Sequence, residues 1–111
     1  MVKPTSVKYS NSKRGKIRYH KKPFANGKYV DGYCDLDSKL IVVNSTVSHK
    51  RQAEILLHEL VHQSFQPLAA PPEEKPDVEE MIVETISNNM VVLWTKNSIV
   101  FEWIHKGLVE K

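Results

Sequence analysis

His58-Glu59-Leu60-Val61-His62 spells H-E-x-x-H. In a helix, residues four apart share a face, so the two imidazoles project together. Two such nitrogens can take two corners of a tetrahedral zinc site, each about 2.0–2.1 Å from the metal. Glu59, beside the first histidine, is the natural general base for a water activated by that metal. The expected chemistry is hydrolysis of a peptide bond with one Zn2+ per chain, Glu59 also returning the proton to the leaving amine.

Catalytic zinc sites usually carry three protein ligands and one open position. No third histidine follows closely, so the long H-E-x-x-H-x-x-G-x-x-H form is absent. Carboxylates follow at Glu79, Glu80 and Glu84. Glu80 also fits a capping box with Asp77, while Glu84 lies well inside the next helix and is the favoured third ligand. Asn88, one turn later, could orient a ligand. Tyr33, His105 and Tyr29 are candidates to stabilise the oxyanion.

Those residues need a helix with one packed side. Ser48 is a plausible N-cap, with Asn44, Ser45 and Thr46 as rivals. Ala53, Leu56, Leu57, Leu60, Val61 and Phe65 then fall at helical spacing as a core stripe, with Ile55, His58 and His62 on a neighbouring face. Four prolines interrupt residues 66–77 and make that stretch a loop. A second helix is expected from Asp77 to about Thr95, with Ile82, Ile86, Met90 and Leu93 inward. A short third helix follows Ser98, with Phe101 and Ile104 inward and Gly107 as its stop.

The first third reads as β structure. Asn26-Gly27 is a hairpin turn signal. Residues 28–35 read as one strand and Asp35-Leu36-Asp37-Ser38 as a second turn. Leu40-Ile41-Val42-Val43 is a β-branched run. The fold class is α+β: a small antiparallel sheet packed on the zinc-binding helix, then a Glu-bearing helix and a short C-terminal helix.

At 111 residues the chain is expected to be one domain, and its apolar fraction of 41% argues against disorder. Cys34 is the single cysteine, so no intrachain disulfide is possible. It reads as a small buried hydrophobe, and Trp94 and Trp103 as packing residues. No signal peptide or membrane span is evident, so a cytoplasmic protein without a membrane partner is expected. Nine of the sixteen basic residues fall within 3–28, and no acid precedes Asp31. That basic segment is either a solvated surface or a place for nucleic acid or an acidic partner.

Ile55-Leu56-Leu57-His58-Glu59-Leu60-Val61-His62, followed by Val83-Glu84-Thr85-Ile86-Ser87, resembles the small gluzincin-like zincins of the ImmA/IrrE and related phage-encoded metallopeptidase families. The stretch from Gly32 to Val43 is similar to the strand–turn–strand those proteins place upstream. The resemblance implies a zinc metallopeptidase, possible phage origin and a host cytoplasm. In the family an E-x-x-A segment supplies the third ligand; here it reads Glu84-Thr85-Ile86-Ser87. The resemblance also implies that Leu40, Ile41, Val42, Val43 and Asn44 pair with an extended protein or peptide substrate. The rival expectations are a non-catalytic zinc-stabilised interaction module, a nucleic-acid-associated protein using the basic segment, and a chance motif.

Overall fold

The computed structural model describes residues 2–9, 14–64 and 78–110, the side chains of 64 and 78–81 excepted. It is α+β, with strands β1 (Ser6–Lys8), β2 (Arg14–His20), β3 (Phe24–Ala25), β4 (Lys28–Tyr29), β5 (Gly32–Asp35) and β6 (Leu40–Asn44). Helices α1 (His49–Ser64), α2 (Val78–Lys96) and α3 (Ser98–Leu108) follow. Phe65, the proline loop and the Asp77 cap lie outside the described residues, as do the side chains of Glu79 and Glu80.

Local chemistry makes the turns. Asn26 and Gly27 both take positive φ, 54° and 78°, the backbone of a type I′ hairpin, and join β3 to β4. The Asp35 carboxylate accepts hydrogen bonds from the backbone N–H of Asp37 (3.0 Å) and Ser38 (3.3 Å), which turns β5 into β6. Residues 28–35 do not form one strand. Val30 N–H donates to Pro23 O and Asn44 N–H to Asp31 O, so the chain leaves the small hairpin and enters the main sheet at Gly32.

The main sheet runs β1-β2-β6-β5. Its outer ladders are antiparallel and its central β2–β6 ladder is parallel, with Ile17 opposite Ile41. The intervening β3–β4 hairpin and β5 account for this: β6 re-enters the sheet in the direction of β2. Alternation puts Val7, Ile17, Ile41 and Val43 on the face that packs against the helices.

Ser48 caps α1, its hydroxyl accepting from Arg51 N–H at 3.2 Å. The rival Asn44 instead closes an Asx turn onto Thr46. The buried arc of α1 is Gln52, Ala53, Ile55, Leu56, Glu59, Leu60 and Gln63. Ile55 is therefore core, and Val61 is exposed. The arc is wide because α1 meets two partners. A Cβ on Gly32 of β5 would collide with Ile55, and one on Gly107 of α3 would lie 2.7 Å from Ala53 Cβ and 2.9 Å from His49 O.

Gly107 is thus a close-packing residue inside α3. The helix runs on to Leu108, and Val109 occupies the C-cap position. At the other end Asn97 holds the N-cap position but makes no side-chain cap. It is 6% exposed, and its amide bridges Lys8 N–H (2.6 Å), Lys8 O (2.8 Å) and Leu93 O (2.9 Å). Strand β1 is thereby pinned to the α2–α3 junction. Leu93, Phe101, Trp103 and Ile104 complete the core, whereas Trp94 is exposed and lies against Phe101. Among the described residues no helix is long and apolar enough to cross a membrane.

Candidate metal centre

One helical turn apart on α1, His58 and His62 expose their rings. The ring centroids are 4.7 Å apart at an interplanar angle of 75°, and the two Nε2 atoms lie 3.1 Å apart. Two nitrogens at tetrahedral corners of one zinc would be separated by about 3.3 Å. The pair therefore has the bite that a metal requires. Among the described residues, His58, Glu59 and His62 form a group that could hold a metal ion, with all ligand atoms within 4.8 Å of one another. No metal is named by this geometry alone.

Glu59 departs from its neighbours by a helical phase of one residue. It falls on the buried arc and is 6% exposed. The Cys34 thiol lies close enough to feel its charge. Cys34 reaches it because Gly32 and Cys34 share the face of β5 that looks at α1. Burial first, then the Glu59 charge, and then Asp35, push the thiol up to about 11. Sequence reasoning missed this contact. Its signal was the pairing of Cys34 with a glycine at Gly32, two positions away on the same strand face.

Further polar groups are buried on this side of the sheet. The Gln63 side chain, four residues after Glu59 and 3% exposed, has neither its amide N nor its O partnered among the described residues. The Tyr9 hydroxyl is also buried, with no partner among the described residues. Burial, then the nearby Cys34 sulfur, keep that phenol protonated well above its usual range.

Other expected residues are not brought to the histidines. Ile82, Ile86 and Met90 are half-buried and Leu93 buried, which defines the packed face of α2. Glu84 lies two residues from both Ile82 and Ile86, about 200° around the helix from each, and it is exposed. Asn88 is exposed as well, and Glu84 is not part of the His58, Glu59 and His62 group. Tyr33 follows the opposite alternation to Cys34 and lines a surface hollow with Ala25, Asn26 and Leu36. Tyr29 is exposed on β4. His105 lies just before Gly107, which packs on the N-terminal part of α1, away from His58 and His62. His49 is structural: its ring lies against Trp103 and bonds Glu110 and Trp103 O.

The expected substrate strand is corrected too. Leu40, Ile41, Val42, Val43 and Asn44 form β6, which is paired on both sides, by β2 and β5. An interior strand has no free edge for a peptide. Strand β5 is the edge nearest α1.

No family model, curated protein or solved structure matches the chain. The metal centre therefore stands on its own geometry.

Proposed function

We propose that this chain is a zinc-dependent peptidase, built around His58 and His62 as ligands and Glu59 as general base. The observation that supports it is the 3.1 Å Nε2 separation, together with a carboxylate oxygen of Glu59 within 4.8 Å of both rings. A zinc ion held there would supply Lewis acidity and lower the pKa of a water to near 7.

The chain's own groups do the rest. Glu59 takes a proton from the attacking water and hands it to the departing amine. Burial of Glu59 strengthens its interaction with charge developing nearby. The outer edge of β5 is the place for an extended substrate. Asn44 N–H bonds Asp31 O, so in an antiparallel ladder the backbone groups of Asp31, Tyr33 and Asp35 turn to β6, and those of Gly32 and Cys34 turn outward. These would hold a peptide by β-augmentation. A single cysteine kept as a thiol suits a reducing cytoplasm.

The test is metal content and cleavage of an unfolded protein such as casein. Bound zinc with cleavage that disappears in Glu59→Gln supports the proposal. A chain that binds no zinc overturns it. A second reading, a non-catalytic metal clip, is favoured by the burial of Glu59 under Cys34. It expects zinc to raise the melting temperature, no cleavage, and a Glu59→Gln variant that behaves as the parent.

A further inference from the structure

Residues 14–20 of β2 alternate strictly. Gly15 and Ile17 are buried and Tyr19 half-buried toward the helices, while Arg14, Lys16, Arg18 and His20 are all exposed on the opposite face. At about 3.3 Å per residue this row is roughly 20 Å long. Lys8 of β1 stands opposite Arg14 and widens it. No acid occurs in the chain before Asp31, and among the described residues none of Lys8, Arg14, Lys16 or Arg18 pairs with a carboxylate. A row of cations on one face repels itself, and an extended polyanion would relieve that repulsion.

The row ends at aromatic rings. Phe24 and Tyr29, paired across the β3–β4 hairpin, are 56% and 70% exposed. They hold an edge-to-face contact at 5.3 Å. Tyr29 lines a surface hollow with Lys21, Lys22 and Asn44, and Asn44 is the register partner of His20. Asp31, the acid of that hollow, is neutralised by Arg51 at 2.9 Å. Exposed rings at the end of a cationic track are the combination that grips single-stranded nucleic acid: backbone charge along the groove, bases on the rings.

We propose that the helix-free face of the sheet, from Lys8 and Arg14 to Phe24 and Tyr29, binds single-stranded nucleic acid without sequence preference. At 3.4 Å per phosphate, a stacked strand sets about six phosphates along the β2 row. The metal centre is on the helix side of the sheet, so this surface works independently of it.

The experiment is fluorescence anisotropy of the full chain with a labelled 20-nucleotide oligothymidylate, titrated with salt. Binding should weaken steeply with salt and survive a chelator. Changing Lys16 and Arg18 to Gln together should flatten the log–log salt slope by about 1.4. Phe24→Ala or Tyr29→Ala should weaken binding roughly fivefold to a hundredfold while leaving the salt slope alone. All four side chains are exposed, and circular dichroism verifies that the variants fold. No binding at low salt, tighter binding to duplex of the same length, binding indifferent to these variants, or binding only to anionic phosphatidylserine vesicles would each overturn the proposal. Loss of zinc or of peptidase activity bears only on the metal centre.

Discussion

The Cys34 thiol of the edge strand β5 lies near the Glu59 carboxylate, the residue beside His58, and that charge helps to keep the thiol protonated. The thiol pays in reactivity, because only the thiolate is a good nucleophile.

This contact predicts a pH profile. With the thiol pushed up to about 11, alkylation of the native protein by iodoacetamide should be slow at neutral pH and climb toward pH 11. Unfolded protein should react near the ordinary thiol value of about 8.5. The folded pKa is raised, so the contribution to stability is complete below the unfolded value and declines as pH rises through the folded one. Glu59→Gln removes the charge and should shift the alkylation profile to lower pH. An unchanged profile would show that the two side chains do not interact.

Metal binding should discriminate among the acids of α2. His58→Ala and His62→Ala should each abolish stoichiometric zinc, measured by elemental analysis after dialysis. Glu84→Gln should keep its zinc, because Glu84 lies on the outer face of α2. Loss on changing Glu79 or Glu80 to Gln would identify the third ligand.

Gln63 should be a stabilising position to change. Its amide has no partner among the described residues; a buried amide left so costs about 1–3 kcal/mol, and an apolar group of similar shape removes that cost. Gln63→Leu is expected to raise the melting temperature by several degrees. A lowered melting temperature would mean that the amide is satisfied in solution.

The amide of Asn97 should be among the costliest to remove. Asn97→Ala orphans Lys8 N–H, Lys8 O and Leu93 O at once. The expected loss is about 2–4 kcal/mol by urea titration. Asn97→Asp can still accept from Lys8 N–H but can donate to neither carbonyl, so it should not restore stability. A near-neutral alanine variant would refute the pin.

What the sequence made legible follows the range of the chemistry involved. The Asn26-Gly27 turn, the Asp35 turn and the Ser48 cap depend on residues within three positions, and each was readable. The parallel register of Lys16 with Leu40 depends on where a separate hairpin returns the chain, which no local pattern states. Gly107 resembles a helix stop until α1 is seen against it. The histidine pair was legible because a helix alone brings residues four apart together. Cys34 against Glu59 needed the sheet and helix docked. The outward phase of Glu84 was in fact readable, since it stands two residues from both Ile82 and Ile86 and so off their face.

The bridge from Asn97 to Lys8 spans 89 positions in sequence. A growing chain therefore carries β1 unfastened until Asn97 has been made. The outer strand of the sheet can form its ladder to β2 early, but it is locked only when the α2–α3 junction arrives. Until then that edge is open to any other extended chain.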